Sequence, residues 1–251
     1  MPRYDQHFLR SEGYIRKIIA AVLPQEGETL LEIGPGRGAL TQFLLELPFP
    51  YIGVEIDPRC LSYLHRLSKA DKARWIQGDF LKTPLPTDPL YIVSNLPYSI
   101  TGPALFRILG HRFWIREGVL MLQAEVAQRL YARVGERTYG RISVLFQSIY
   151  RVKRLFRVPP GAFLPPPKIW SEVVVFSRAP HLPLESWDSF ADFVKQAFRQ
   201  PRQTLGRNLR DYGMPPSWRH RRPHELSIGE LVDLWRSVQS NQETSRTANP
   251  D

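Results

Sequence analysis

A single cysteine, Cys60, stands among 251 residues. It excludes an intrachain disulfide and a thiolate zinc cluster, because both need further thiols. Long apolar runs are also missing, and none approaches the roughly 18 residues that a membrane span requires. The opening stretch "MPRYDQHFLR" lacks the uninterrupted apolar core of a secretory signal. These absences lead us to expect a cytoplasmic protein with no membrane partner and no metal. No internal repeat occurs. Residues 1–100 also lack net charge, with 11 Lys and Arg against 11 Asp and Glu.

What the chain does contain is enough apolar material, 43% of residues, for an ordinary globular core. Its length fits one large domain, or one with a small appendage. The whole net charge of +10 lies in residues 101–251, where 23 basic residues face 13 acidic ones. Arginine supplies 27 of the 34 basic residues. A generally Arg-rich composition accounts for the choice of Arg over Lys but not for the asymmetry along the chain. A basic half of this kind suits a polyanion partner, either nucleic acid or an anionic membrane surface.

Apolar periodicity predicts a helix over 11–23, behind Ser11 as a candidate cap. "ETLLEIGPGRGALTQFLLEL" reads as strand, Gly-rich turn and helix. "YIGVEID" is a second strand, "PRCLSYLHRLSK" a second helix, "ARWIQGDF" a third strand and "LYIVSN" a fourth. "GVLMLQAEVAQRL" runs from strand into helix, and "GRISVLFQSIY" and "SEVVVFSR" complete the apolar, partly β-branched series. Strands alternating with helices imply an α/β fold whose parallel sheet is covered on both faces. "SEVVVFSR" has no ordinary helix before it, so an antiparallel last strand is expected. The reading gives a main domain over 1–180, a small all-helical domain over 181–238, and a polar, disordered tail over 239–251.

Gly34, Gly36 and Gly38 lie in the turn after the first main strand. Glycines permit tight turning and close approach of a ligand to the backbone, and a following helix N-terminus favours polar or anionic groups. Glu55 ends the next strand, where a carboxylate can accept both ribose hydroxyl protons. Gly34, Gly36 and Ala39 also fit the dinucleotide fingerprint of dehydrogenases. Asp79, after the third strand, favours a nucleoside lying across the strand ends, since it can accept a hydrogen bond from an adenine amino group. Taken alone, it is an ordinary turn residue.

After the fourth strand comes Asn95-Leu96-Pro97-Tyr98. An adenine N6 is a poor nucleophile because its lone pair is delocalised into the ring. Two acceptors aimed at its hydrogens favour a pyramidal nitrogen with the lone pair turned toward a methyl donor. The Asn95 side-chain oxygen and the Leu96 carbonyl can be those acceptors. Pro97 biases Leu96 toward extended backbone, and Tyr98 offers a flat face for the base. The bland reading is a turn with an Asx cap.

The chain resembles the ribosomal RNA adenine dimethyltransferases over nearly its whole length. "QHFL", "LEIGPGRGALT", "VEID", "GDFL", "NLPYSIT", "QAEVAQRL", "YGRISVLFQ", "VPPGAFLPPPKIWSEVV" and "RPHELSIGELVDL" follow that family's order and spacing. The resemblance implies a Rossmann-like class I methyltransferase sheet with S-adenosylmethionine as donor and S-adenosylhomocysteine as product. It implies two methylations on each of two adjacent adenosines near the 3′ end of small-subunit rRNA, in an assembling particle, by a monomer. By motif, His7 and Leu9 contact the donor, Gly34 lines its methionine side with Gly36 in the same loop, Glu55 takes its ribose and Asp79 its adenine. Asn95 sits between donor and target, and Phe163 stacks on the base opposite Tyr98. Departures are Asp5 before the "QxFL" motif, a basic extension reduced to "MPR", and Pro201 and Gln203 where the family is basic. They touch expected RNA contacts, not the methyl-transfer site.

Candidate RNA contacts fall in three clusters: Arg129, Arg133, Arg137 and Arg141; Arg151, Lys153 and Arg154; and, within 195–222, Arg202, Arg207, Arg221 and Arg222. Such clusters give affinity and salt dependence without reading sequence. Gly135 and Gly140 argue that the first is only a partial helical stripe, and Trp218 and His220 add stacking capacity to the third. Three alternatives stand beside the small-subunit reading: a large-subunit rRNA methyltransferase of the Erm type, a non-catalytic RNA-binding assembly factor, and, more distantly, an NAD dehydrogenase.

Overall fold

The computed structural model describes residues 7–247. In chain order the elements are β1 (Phe8–Leu9), α1 (Glu12–Ile19), β2 (Thr29–Ile33), α2 (Thr41–Leu44), β3 (Tyr51–Glu55), α3 (Pro58–Leu64), β4 (Ala73–Gln77), β5 (Leu90–Asn95), α4 (Thr101–Gly110), β6 (Ile115–Gln123), α5 (Ala124–Tyr131), α6 (Arg141–Gln147), β7 (Tyr150–Val158), β8 (Phe163–Leu164), β9 (Ser171–Arg178), α7 (Trp187–Ala197), α8 (Leu205–Asn208) and α9 (Ile228–Thr247). Among the described residues no helix is long and apolar enough to cross a membrane.

A seven-stranded sheet has the order β4-β3-β2-β5-β6-β9-β7. The strands from β4 to β6 pair in parallel, and β9 runs antiparallel to β6 as expected. β2, β3 and β5 are buried along almost their whole length. Apolar runs without polar alternation can be stable only where helices cover both faces. Each fully buried aliphatic side chain there contributes roughly 1.5–3 kcal/mol relative to exposure. From β2 the chain winds outward through β3 to β4, then returns to lay β5 on the other side of β2. That reversal opens a crevice beyond the carboxyl ends of β2 and β5, where doubly wound sheets bind ligands.

Local chemistry fixes the ends of the elements. Ser11 precedes α1, but its carbonyl rather than its hydroxyl accepts from Tyr14 and Ile15. Asp57 caps α3 by accepting from the Arg59 N–H at 3.0 Å, and Pro58 takes the first helical position. The "GRISVLFQSIY" stretch departs from the strand series, because most of it forms the helix α6. The strand is instead the basic "YRVKRLFRV", lying at the end of the sheet order and largely exposed. Cations along an edge strand discourage pairing with another chain.

The chain divides into two compact units. One holds the sheet, with residues up to Ala127 and Arg151–Arg178; the other holds Gln128–Tyr150 and everything from Ala179 onward. The sequence boundary at 180 is therefore one of two crossings, since residues 128–150 leave the sheet unit and return. Their attachment is physical: Trp187 Nε1 donates to Ser148 Oγ at 3.0 Å, and Tyr139 OH donates to the Leu226 carbonyl at 3.1 Å. The expected disorder from 239 gives way to helix, with α9 continuing to Thr247. Gln239 donates to Ser189 Oγ at 3.2 Å and Asn241 to the Gly213 carbonyl at 2.9 Å. Residues 248–251 of the expected tail, and Asp5 and "MPR", lie outside the described residues.

Candidate active site

A cavity of about 1080 Å³ opens at the carboxyl ends of β2, β3, β4 and β5. That volume lies just above the roughly 300–1,000 Å³ of small-molecule sites. His7, Leu9, Gly34, Gly36, Glu55, Asp79, Asn95, Leu96, Pro97 and Tyr98 all line it. They lie far apart in the chain and meet because parallel strands end on one edge.

Gly34 and Gly36 have φ of +64° and +60°, a region that costs an L side chain about 1–2 kcal/mol. A Cβ on Gly36 would also stand 3.1 Å from the Phe8 ring, so β1 lies directly over the loop. The expected helix after this loop is only the four-residue α2. Turns occupy the residues before it, so the loop supplies most of this side of the cavity lining and α2 contributes Gln42.

Glu55 is 3% exposed. Its Oε2 accepts from the Gly36 N–H at 2.8 Å and its Oε1 from the Asp57 N–H at 2.9 Å. Burial pushes its carboxyl above the usual range, against these two bonds, which favour the anion. A carboxylate has about four acceptor positions, so both oxygens retain capacity for a ligand's hydroxyls. Asp79 Oδ1 accepts from the Leu81 N–H at 2.9 Å. It is thus a turn residue as well as a cavity residue, and the two readings of it are compatible.

Two supporting residues escaped the sequence reading. Arg107, on α4, donates to the carbonyls of Leu81, at 2.6 Å, and Thr83, and lies 5.4 Å over the Phe80 ring, fastening the loop that carries Asp79. Glu32, 2% exposed, accepts from Thr41 Oγ at 2.8 Å and Tyr51 OH at 2.5 Å. Burial raises its pKa to about 7. A lone Arg on a helix and a Glu inside an apolar strand carry no sequence signal for these contacts.

At the end of β5, Ser94 Oγ donates to the Ile33 carbonyl at 2.7 Å and the Leu96 N–H to the Met121 carbonyl at 3.1 Å. The backbone around Asn95 is thereby tied to the strands on either side. Asn95 Nδ2 donates to the His7 carbonyl at 3.1 Å. This commits the donor end of the amide to β1's approach and leaves Oδ1 as the end that can accept hydrogens. Tyr98 OH pairs with Ser171 Oγ at 2.6 Å, and its ring lies 5.4 Å from that of His7. His7 Nδ1 in turn donates to the Pro165 carbonyl at 2.8 Å. An acceptor amide, a held aromatic face and two carboxylates therefore share one cavity.

Residues 1–246 match the family described as ribosomal RNA adenine dimethylase. The chain belongs to that family. It is 36% identical to the ribosomal RNA small subunit methyltransferase A of Chlorobaculum parvum, with 94% of this chain and 88% of that protein covered. A dimethyladenosine transferase structure from Plasmodium falciparum superposes with a TM-score of 0.80 at 25% identity, covering 94% of this chain and 98% of that one. The 23S rRNA methyltransferase ErmE shares the fold, with a TM-score of 0.75 at 22% identity over 92% of this chain and 99% of that one.

For a member of this family, the placement of Phe163 differs from the expectation. Phe163 is 1% exposed and belongs to the apolar core with Leu9 and Val173. It lies opposite Leu9 in the β1–β8 pairing and is not among the residues lining the cavity. Successive residues of a strand face opposite ways, so the neighbouring Leu164, 55% exposed, lines the cavity in its place.

The basic residues do not converge in the same manner. Arg129 lies on α5, Arg133 and Arg137 in the loop after it, and Arg141 at the start of α6, so no continuous stripe forms. Arg151, Lys153 and Arg154 belong to the sheet unit, and Arg154 stands 4.0 Å from Glu172. Arg202, Arg207 and Arg222 are exposed. Arg207 donates to Gln203 Oε1 at 3.0 Å, and both line a polar hollow of about 300 Å³ with Arg199 and Arg210. Arg221 is engaged in structure, bonded to Glu230 at 2.6 Å and to the Glu225 carbonyl at 2.7 Å and lying 5.5 Å over Trp218.

Proposed function

We propose that this adenine dimethylase family member transfers methyl groups from S-adenosylmethionine to N6 of two adjacent adenosines near the 3′ end of small-subunit rRNA, giving N6,N6-dimethyladenosine. The observation that carries the proposal is the Asn95 amide, its donor end held by His7 and its acceptor end available, in the cavity that Glu55, Asp79 and Tyr98 also line. When bound, S-adenosylmethionine supplies a methyl group on a positively charged sulfur and leaves as S-adenosylhomocysteine. The residues present fit it: Glu55 accepts from the ribose hydroxyls, Asp79 from the adenine amino group, and the positive-φ loop at Gly34 and Gly36 lets the methionine side approach the backbone. Leu9 in β1 and His7 just before it line the cavity.

Tyr98 holds the target base flat, with Ser171 fixing its hydroxyl. Asn95 Oδ1 and the Leu96 carbonyl accept the two amino hydrogens and turn the nitrogen lone pair toward the donor. No strong base is required, because the nitrogen becomes acidic once it carries the new methyl, and its proton passes to solvent. Alignment and fixed dipoles supply the rate. We assign the remaining basic clusters to rRNA backbone contact and place the protein as a monomer acting on an assembling small-subunit particle in the cytoplasm. Pro201 and Gln203 reduce its basic contacts in the helical unit.

Nucleoside mass spectrometry of rRNA from cells with and without the protein, together with primer extension on both rRNAs after in vitro methylation, tests this. A stop near the 3′ end of small-subunit rRNA is expected. A stop confined to large-subunit rRNA would move the protein to the Erm type, and binding with no methylation would make it an assembly factor.

A further inference from the structure

Trp170 is 47% exposed, directly ahead of Ser171, whose hydroxyl holds Tyr98. It also ends the loop that follows β8, where Leu164 of the strand and Pro165 at the loop's start line the cavity. Ser171 is fully buried at the start of β9. The Trp170 backbone is fixed, since its carbonyl accepts from the Ala124 N–H at 2.9 Å. The Arg157 guanidinium lies 5.4 Å over the indole ring, within cation–π range. Arg157 is itself anchored, with Nε 3.2 Å from Oε1 of the fully buried Glu172. A buried carboxylate thus holds an arginine, and the arginine backs an exposed aromatic plane.

We propose that Trp170, backed by Arg157, is a stacking site for an unpaired nucleobase of the RNA strand beside the target adenosine. This rests on the RNA reading above and adds a subsite to it. Charge selects the ligand: Arg157 lies on the ring itself, and Arg151, Lys153, Arg154 and Lys168 are exposed in the same unit, so a polyanionic strand is favoured over an apolar protein partner. Aromatic faces interleaved with cations hold single-stranded nucleic acid by stacking and phosphate neutralisation together. A base held here extends the grip on the strand beyond the flipped adenosine, whose own ring rests on Tyr98.

The test compares Trp170→Ala and Trp170→Phe on unmethylated small-subunit rRNA particles, reading KM and Kd for RNA and Kd for S-adenosylmethionine. Trp170→Ala should raise the RNA KM about tenfold, a typical loss for one stacked base, while donor affinity stays unchanged. Trp170→Phe should recover most of the loss. Two further RNAs carry an abasic nucleotide on the 5′ or the 3′ side of the target pair. One of them should weaken the wild-type protein by a similar factor and add nothing to Trp170→Ala. A wild-type RNA KM for Trp170→Ala, equal loss in Trp170→Phe and Trp170→Ala, or abasic effects that simply multiply with Trp170→Ala would overturn the proposal. If wild-type protein methylates no adenosine, the activity reading fails, while the RNA Kd values still decide whether Trp170 holds a base.

Discussion

The two units treat charge differently. In the sheet unit, carboxylates go inside: Glu32 and Glu55 are 2% and 3% exposed, each held by named donors on neighbouring elements. In the helical unit, charge stays near the surface, where Arg221 clamps Glu230 and holds its carboxyl down at about 2, while Arg202 and Arg207 face solvent. A buried charge is tolerable only when its partners are fixed in place. The sheet unit therefore has geometry that chemistry can use, whereas the helical unit offers cations whose value depends on a partner arriving. Donor and base chemistry should be brittle to single substitutions, and RNA affinity should be graded.

The largest effect expected from that contrast is at Asn95. Asn95→Ala should lower the methyl-transfer rate at least a hundredfold, the scale of losing one preorganised polar group, with donor Kd changed less than threefold. Equal loss of donor binding in a calorimetric titration would remove the distinction between holding the donor and activating the amine.

Next comes Glu32, whose carboxyl titrates near 4.5 in the unfolded chain and near 7 in the fold. Between those values the folded state holds the proton more tightly. Its contribution therefore makes stability fall as pH rises from about 4.5 to about 7, by on the order of 3 kcal/mol in all. Glu32→Gln keeps an acceptor for Tyr51 and Thr41, so denaturant unfolding from pH 5 to 8 should show a flatter slope. An unchanged slope would mean that burial does not govern this group.

A smaller loss is expected where one residue acts through another. Ser171→Ala and Tyr98→Phe should each slow transfer about tenfold, close to the worth of one hydrogen bond at a site that must hold its geometry, and the double variant should be no worse than either. Additive losses would show that Ser171 does not act through Tyr98. Smallest of all, Arg207→Ala should raise the RNA KM a few-fold without moving the melting temperature. Arg221→Ala should do the reverse, lowering melting at neutral pH by freeing Glu230. Interchanged results would redraw which cations serve the fold.

Much of the cavity lining was legible in the chain because order in a parallel sheet is itself spatial information. Gly34, Glu55, Asp79 and Asn95 each follow or end a strand, and all strand ends of one sense share an edge. The burial of Phe163 was not legible, because motif position says nothing about which face of a two-residue strand points inward. The helix after the glycine loop was overestimated, since apolar spacing does not reveal that turns take up most of it. "GRISVLFQSIY" has the β-branched residues of a strand, but its packing in the helical unit imposes α6.

By itself the sequence determined the alternation of strands and helices, the loop that needs glycine, the acceptor-rich end of β5 and the one-sided distribution of charge. All of these are set by neighbours within a few residues or by simple count. Only tertiary structure decided that Ser171 meets Tyr98 across 73 positions, that Arg107 fastens the Asp79 loop, that residues 128–150 join the C-terminal unit, and that Trp170 stands exposed on Arg157. Those contacts depend on which sheet edge and which face each element occupies, and long-range packing fixes both.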